Sequence, residues 1–173
     1  MITDSQLQQI SILALDVDGV LTDGTILVGG GGTDYKCFNS LDGHGIRLWR
    51  RAGMEVALVT GRASEPVSWR AKELGIQHVF QDCYDKLPVI KNLLETLGLT
   101  PAQLAYVGDD VPDLPVLKYA GFAVAVANAV DEVKQSADYV TNRPGGKGAV
   151  REVIEYILRR TGRWDGLMQR YRQ

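Results

Sequence analysis

Side chains that could transfer a phosphoryl group occur at four places in this chain. They are the pair Asp16 and Asp18, then Thr60, then Lys86, and finally the acidic group Asp109, Asp110 and Asp113. A carboxylate can act as a nucleophile, carry a proton or bind a hard cation, whereas hydroxyl and ammonium groups bind anionic oxygens. Together these groups supply what phosphoryl transfer requires.

Asp16 and Asp18 come directly after the apolar run Ile12–Leu15, and Gly19 follows them. That run predicts a buried strand, so both carboxylates lie where the strand ends. Asp16 and a phosphate ester are both anionic at neutral pH, and two unit charges about 4 Å apart repel by about 4 kcal/mol in a partly shielded site. A Mg²⁺ ion bound by Asp16, Asp109 and a backbone carbonyl near Asp18 would offset this repulsion.

The other groups have complementary tasks in such a site. Lys86 supplies a second positive charge, and the Thr60 hydroxyl with the Gly61 amide can donate hydrogen bonds to phosphoryl oxygens. Asp18 follows the candidate nucleophile Asp16 by two residues. It can protonate the leaving alkoxide and then deprotonate the attacking water.

The elements that must position these residues alternate along the chain. Apolar runs predict buried strands over residues 12–15, 56–59, 78–80, 104–107, 122–126 and 139–140. Apolar residues at helical spacing predict helices over residues 45–53, 64–74, 87–97, 114–119, 130–137 and 149–160, with Ser64 capping the second of them. This alternation predicts an α/β fold with a doubly wound parallel sheet, whose carboxyl edge brings the strand ends together.

Two short strands around the glycines at 29–32 predict a β-hairpin insert over residues 25–38. The segments on either side of Thr60 have no room for a separate cap domain. The length of 173 residues suits a single domain over 1–173, with a C-terminal tail over 162–173. Because specificity needs a wall around the substrate, we expect another subunit to supply it.

The charge balance and hydropathy of the chain argue against other classes of function. With 19 Lys and Arg against 21 Asp and Glu, the net charge of -2 does not indicate a nucleic-acid partner. No apolar run approaches the roughly 20 residues that span a bilayer, and the polar residues 1–9 do not resemble a secretion signal. The widely separated Cys37 and Cys83 favour reduced thiols in a cytoplasmic protein over a metal site.

The ordered motifs resemble those of the haloacid dehalogenase superfamily of phosphatases over nearly the whole chain. They are Asp-x-Asp-Gly at 16–19, the Thr-Gly pair at 60–61, the lysine at 86 and the acidic segment at 108–113. The resemblance implies a Rossmann-like fold, an aspartyl-phosphate on Asp16 and acid/base catalysis by Asp18. It also implies Mg²⁺ and phosphate sites, which map onto Asp16, Asp18 and Asp109 for the metal, Asp110 and Asp113 for indirect or water-mediated metal contacts, and Thr60, Gly61 and Lys86 for the phosphate.

A closer resemblance is to the family of 3-deoxy-D-manno-octulosonate 8-phosphate phosphatases, which act in lipopolysaccharide sugar synthesis. The matching segments are 16–24, 38–39, 42–47, 59–62, 105–110, 137–141 and 145–152. This resemblance implies hydrolysis of the sugar acid phosphate to the free sugar acid and phosphate, and a homotetramer whose hairpins meet centrally. The loop at 81–85 departs from the family pattern, which leaves a related nine-carbon 2-keto sugar acid phosphate as an alternative substrate.

Three residues are candidates for contact with the sugar acid. Arg62 offers a planar fork that matches a carboxylate, although a structural salt bridge is the alternative. Asp42 and His44 lie in one of the matching segments. The tail beyond Gly162 is rich in arginine, and we expect it either to fold over a neighbouring subunit's site or to be solvated and disordered.

Two other classes of function stay open. An inactive scaffold domain could keep the same fold, although the complete set of acids argues against it. A signalling receiver domain also uses a phosphorylated aspartate, but its acid pair precedes its phosphoacceptor, whereas Asp18 follows Asp16 here.

Residues 145–148 superficially resemble a phosphate-binding loop but lack its glycine-to-lysine spacing, which favours a loop entering the last helix.

Overall fold

In the computed structural model, which describes residues 2–172, a six-stranded parallel sheet forms the centre of the molecule. The strands in chain order are β1 (Ile12–Leu15), β2 (Leu27–Val28), β3 (Asp34–Tyr35), β4 (Glu55–Val59), β5 (His78–Phe80), β6 (Leu104–Gly108), β7 (Phe122–Ala125) and β8 (Tyr139–Val140). The spatial order of the sheet is β5-β4-β1-β6-β7-β8, while β2 and β3 form a separate antiparallel hairpin. The predicted α/β class with a hairpin insert is confirmed.

The chain reverses its direction of travel across the sheet at β1. It proceeds from β1 outward through β4 and β5, then returns to the other side of β1 and continues through β6, β7 and β8. In such sheets ligands bind outside the carboxyl ends of the strands at this switch point, which lies here between β1 and β6. The residues that follow β1 and β6 therefore face the crevice that the fold provides.

Helices alternate with these strands. They are α1 (Asp4–Gln9), α2 (Ser40–Arg51), α3 (Glu65–Leu74), α4 (Lys86–Leu97), α5 (Leu114–Leu117), α6 (Asp131–Ser136), α7 (Ala149–Arg160) and α8 (Trp164–Met168). All four residues of β1 are buried, and since successive strand residues point to opposite faces, both faces of the sheet are covered there. None of the helices within the described range has the length and apolar character needed to cross a membrane.

Helix α2 begins at Ser40, earlier than the sequence pattern predicts. Asn39 caps it by accepting a hydrogen bond from the Leu41 amide at 2.8 Å. The first turns contain two glycines, which lower helix propensity and so obscured the true start. A side chain at Gly43 would overlap the guanidinium of Arg70 on α3 and would displace it.

Both ends of the described chain pack against α7. The sequence pattern does not predict α1, a short helix that begins with a capping box. At the other end, Trp164 is buried, and the guanidinium of Arg159 lies 4.2 Å from its ring centre. Arg51 donates a hydrogen bond to the Tyr171 hydroxyl at 3.0 Å. Residues 163–172 thus pack on their own chain and are not disordered, although most of their side chains are exposed. That the tail folds over a neighbouring subunit's site stays a prediction.

Ser64 occupies the predicted cap position of α3 but does not cap the helix. Its hydroxyl donates a hydrogen bond to Oδ2 of Asp34 on the hairpin at 2.6 Å, and it accepts none from α3. Its amide donates to Oε1 of Gln81 at 2.7 Å. The predicted cap position is confirmed, but the Ser64 side chain makes no capping hydrogen bond. Ser64 instead joins the start of α3 to the hairpin and to the loop after β5.

Asp42 is a buried carboxylate on α2 that caps a different helix, α7. Its Oδ1 accepts a hydrogen bond from the Arg151 amide at 2.8 Å, and its Oδ2 accepts one from the Gly148 amide at 3.2 Å. Negative charge at a helix N-terminus also interacts favourably with the helix macrodipole. Asp42 therefore fixes the two helices that pack most closely on each other.

We expect Asp42→Ala to lower the free energy of unfolding by about 2–3 kcal/mol, because it leaves two amides at the start of α7 without partners. Urea denaturation followed by circular dichroism measures this loss. The matched control is Asp131→Ala in the exposed first turn of α6, which should cost less than about 1 kcal/mol. Equal losses in the two variants would contradict the capping role.

Candidate active site

A cavity of about 380 Å³ opens at the carboxyl edge of the sheet. It is lined by residues that follow β1, β4, β5 and β6, as the switch point predicts. The lining includes these residues that the sequence had singled out: Asp16, Asp18, Thr60, Gly61, Arg62, Lys86, Asp109, Asp110 and Asp113. The four motifs that are distant in sequence thus meet in one place.

Strands β1 and β6 place Asp16 and Asp109 on neighbouring strand ends. Leu15 pairs with Val107 in register, and the Asp16 amide donates a hydrogen bond to the Val107 carbonyl at 3.1 Å. The backbone then turns at Gly19, where φ is +99° and where a side chain would overlap the Asp109 carboxylate. Glycine is needed here because it permits both the left-handed conformation and this close approach.

Lys86, the first residue of α4, is the cation at the centre of the site. Its ammonium donates hydrogen bonds to Oδ1 of Asp16 at 2.6 Å and to Oδ1 of Asp113 at 2.7 Å. Oδ1 of Asp113 also accepts a hydrogen bond from the Tyr106 hydroxyl at 2.6 Å, and its Oδ2 accepts the Asp109 amide at 2.9 Å. Sequence reasoning missed Tyr106, although a tyrosine inside an otherwise apolar strand is a signal of a buried polar partner.

Burial and mutual repulsion raise the pKa values of Asp16 and Asp109. Burial raises the pKa of Asp16 to about 6, against the opposing positive charge of Lys86. Burial, with the neighbouring charges of Asp16 and Asp113, raises the pKa of Asp109 to about 8. Burial alone would lower the pKa of Lys86, but the two carboxylates that it contacts raise it. The site therefore holds more negative charge than one ammonium can offset.

The acids meet the requirements of a divalent cation. Carboxylate oxygens of Asp16, Asp109 and Asp113 all lie within 4.8 Å of one another. Oδ1 of Asp109 is buried and has no hydrogen-bond partner among the described residues. Asp16 and Asp109 thus fit a hard cation such as Mg²⁺, which takes carboxylate oxygens as ligands. Asp113 fits an indirect role, because protein donors already occupy both of its oxygens.

Thr60 lies at the end of β4 with its hydroxyl at the cavity. Its carbonyl accepts a hydrogen bond from the Cys83 amide at 3.0 Å, and its amide donates to the Phe80 carbonyl at 3.0 Å. These two bonds fix Thr60 and the adjacent Gly61 between β4 and the loop after β5. The Thr60 hydroxyl accepts only a long hydrogen bond of 3.4 Å from the Arg62 amide, so its proton is available to an anion.

Asp18 lines the same cavity, but its carboxylate is fixed by a residue of the hairpin and not by Lys86. Its Oδ1 accepts a hydrogen bond from the ammonium of Lys36 at 2.5 Å. Its Oδ2 is buried without a hydrogen-bond partner among residues 2–172, and Nε of Arg62 lies 3.9 Å away. Sequence reasoning missed Lys36, because a lone lysine one residue beyond a two-residue strand carries no pattern.

The structure brings one of the three suggested sugar-acid contacts to the cavity. Arg62 lines it and is half exposed. Asp42 lies instead under the start of α7. The Nε2 atom of His44 is 3.4 Å from the Tyr171 hydroxyl, and burial together with the charges of neighbouring arginines lowers the pKa of His44. Both residues lie outside the cavity because their contacts are with α7 and the tail.

The glycine-rich loop at 145–148 packs against the loop that follows β1. The Gly146 amide donates a hydrogen bond to the Val20 carbonyl at 2.9 Å, and a side chain at Gly145 would overlap the Gly19 carbonyl. The loop leads directly into α7. The prediction of a loop entering the last helix is confirmed, and its glycines serve close packing behind the acids.

Comparison with known proteins agrees with this geometry. Residues 78–154 match the family model described as haloacid dehalogenase-like hydrolase. The 3-deoxy-D-manno-octulosonate 8-phosphate phosphatases of Salmonella typhi and Escherichia coli are each 46% identical to this chain over 158 residues, which cover 91% of this chain and 84% of theirs.

Solved structures are similar over almost the whole chain. The 3-deoxy-D-manno-octulosonate 8-phosphate phosphatase of Moraxella catarrhalis, solved with magnesium, phosphate and KDO, gives a TM-score of 0.94 at 40% identity, covering 97% of each chain. A probable YrbI family phosphatase of Pseudomonas syringae gives 0.96 at 42% identity, covering 98% of this chain and 97% of its own. This chain therefore belongs to the haloacid dehalogenase superfamily and, within it, to the 3-deoxy-D-manno-octulosonate 8-phosphate phosphatase family.

Proposed function

We propose that this protein is a cytoplasmic, Mg²⁺-dependent phosphatase that hydrolyses 3-deoxy-D-manno-octulosonate 8-phosphate during synthesis of the lipopolysaccharide precursor. The observation that carries the proposal is the close group of Asp16, Asp109 and Lys86 at the floor of one cavity. The curated relatives carry this activity in their names, and the similar Moraxella structure contains magnesium, phosphate and the sugar acid.

Asp16 is the nucleophile in this proposal. One of its carboxylate oxygens attacks the phosphorus, and the bond to the sugar oxygen breaks as an aspartyl-phosphate forms. The Thr60 hydroxyl and the Gly61 amide hydrogen-bond the phosphoryl oxygens, and Lys86 adds positive charge. Because Lys86 is fixed by two carboxylates, it needs no rearrangement when negative charge develops beside it.

Asp18 transfers the protons in both halves of the reaction. It gives a proton to the leaving alkoxide and later takes one from the water that hydrolyses the aspartyl-phosphate. Its partly buried position beside the cavity matches this role.

The carboxylates of Asp16 and Asp109, with the backbone carbonyl of Asp18, would hold the Mg²⁺ ion. Bound Mg²⁺ supplies positive charge that offsets the repulsion between Asp16 and the phosphate. Asp110 would contact the metal only indirectly, through water or through neighbouring residues. Asp113 acts by fixing Lys86 and the amide of Asp109.

The sugar acid carboxylate is bound by Arg62, whose guanidinium lines the cavity and is half exposed. A homotetramer then completes the wall around the sugar. Four apolar side chains of the hairpin are exposed in the isolated chain, and burying them against other hairpins would remove apolar surface from water: Ile26, Leu27, Val28 and Tyr35.

The first test is Asp16→Asn, which keeps the size of the side chain but removes the nucleophile. Phosphate release from 3-deoxy-D-manno-octulosonate 8-phosphate with Mg²⁺ should fall by about 1,000-fold or more. Asp23→Asn, an exposed change in the same loop, is the matched control and should keep wild-type rates. Activity retained in Asp16→Asn would reject the mechanism, and a higher kcat/KM on the nine-carbon analogue would reject the substrate.

The raised pKa values predict how pH and Mg²⁺ act on stability. Folding raises the pKa of Asp16 from 3.8 to about 6 and that of Asp109 from 3.8 to about 8. The folded state therefore binds more protons than the unfolded state between these values. Without Mg²⁺ the melting temperature should fall as pH rises from about 4 to 8.

Added Mg²⁺ should raise the melting temperature more at pH 8 than at pH 6, because its carboxylate ligands must be deprotonated. Thermal melts with and without Mg²⁺ measure this difference. Asp109→Asn removes the acid with the higher pKa and should abolish most of the stabilisation by Mg²⁺. A shift that is the same at both pH values would contradict the proposed ligands.

The assembly is tested at the hairpin. Val28→Asp places a charge on a side chain that is 67% exposed in the isolated chain, so it should leave the fold intact but break hairpin contacts. Light scattering should give a tetramer for the wild type and smaller species for the variant. Val130→Asp, an exposed change before α6, is the control. A wild type that is monomeric, or a variant that remains tetrameric, would contradict this assembly.

A further inference from the structure

Lys36 is a lysine on the hairpin whose side chain is buried and which has no role in the proposed phosphoryl transfer. Its side chain is only 2% exposed, although it lies one residue beyond the short strand β3. Lysine is rarely buried unless it is paired, because removing an ammonium from water costs free energy. The side chain therefore has a partner that compensates for its burial.

That partner is Asp18. The Lys36 ammonium lies 2.5 Å from Oδ1 of Asp18 and 3.9 Å from Oδ2 of Asp34. Among residues 2–172, Lys36 is the only hydrogen-bond donor to the Asp18 side chain. Arg62 is too distant, at 3.9 Å, to fix the other oxygen.

The contact between Lys36 and Asp18 is supported by a second polar contact, between Asp34 and Ser64. Oδ2 of Asp34 accepts a hydrogen bond from the Ser64 hydroxyl at 2.6 Å, and the Ser64 amide donates to Gln81 at 2.7 Å. A chain of polar contacts thus runs from Asp18 through the hairpin to the start of α3, which follows the Thr60 loop. The position of the hairpin therefore determines where the Lys36 ammonium lies.

We propose that Lys36 is a positioning residue that binds Oδ1 of Asp18 and so presents Oδ2 as the oxygen that exchanges the proton. This inference rests on the proposed function, in which Asp18 is the acid and base. As the bond from phosphorus to the sugar oxygen breaks and the bond to Asp16 forms, the proton on Oδ2 passes to the alkoxide. The resulting Asp18 carboxylate stays paired with Lys36 until it takes a proton from the attacking water.

The test uses Lys36→Met, which keeps the length of the side chain but removes the ammonium. Single-turnover formation of the phosphoenzyme is measured with two leaving groups, the sugar alkoxide and p-nitrophenolate, which leaves without needing a proton. General acids contribute about 10²–10⁴-fold, so we expect a loss of about 10- to 100-fold with the sugar phosphate. With p-nitrophenyl phosphate the loss should be less than about threefold, because that step does not use the acid.

Three further variants separate positioning from a structural effect. Lys147→Met, a change at a mostly exposed lysine, is the matched control and should keep both rates. Lys36→Arg keeps the charge and should recover part of the sugar phosphate rate. In an Asp18→Asn background, Lys36→Met should cause no further loss, because the residue through which it acts is gone.

Equal losses on both substrates, or a further loss in the Asp18→Asn background, would overturn the positioning role. So would a Lys36→Met enzyme with wild-type rates. Failure of the proposed function would look different, because the wild type would then not release phosphate from the eight-carbon sugar acid phosphate. In that case the ratio of the two rates is measured with an alkyl phosphate that the wild type hydrolyses, and a protein with no phosphatase activity overturns both proposals.

Discussion

The structure is organised around the placement of two buried carboxylates and one partly buried carboxylate beside one ammonium. Asp16, Asp109 and Asp113 lie within 4.8 Å of one another, and Lys86 bonds directly to two of them. Such a group is costly in the folded state, as the raised pKa values of Asp16 and Asp109 show. The same cost makes the site favourable for a divalent cation and a phosphate ester, because together they replace repulsion between acids with coordination and ion pairing.

Much of the surrounding chain serves to bring backbone close to these acids. A side chain at Gly108 would lie 2.6 Å from Cβ of Asp113, and one at Gly19 would overlap Asp109. Gly145 allows the loop before α7 to pack behind Gly19. The glycines of three distant segments thus share one physical cause, which is the close approach of backbone to carboxylates and to other backbone.

The sequence was sufficient to predict an element or a site residue where the local residue pattern and the chemistry of the side chains agree. Residues 12–15, 139–140 and 149–160 were predicted with the bounds that the structure shows, and the four chemical motifs meet as the switch point requires. The sequence was insufficient to predict the role of a side chain that depends on contacts with residues distant in sequence. Asp42 caps a helix more than one hundred residues away, and Lys36 reaches Asp18 only because the hairpin folds back. Neither contact leaves a periodic signal in the residues around it.

The central claim is that Asp16 forms a covalent bond to phosphorus, and trapping that bond tests it most directly. The enzyme would be mixed with Mg²⁺ and the sugar acid phosphate, quenched with acid during the first turnover, digested and examined by mass spectrometry. We expect a transient phosphate on Asp16, formed and lost at rates that agree with turnover. Phosphate on another residue, or turnover with no phosphate on Asp16 at any time, would contradict it.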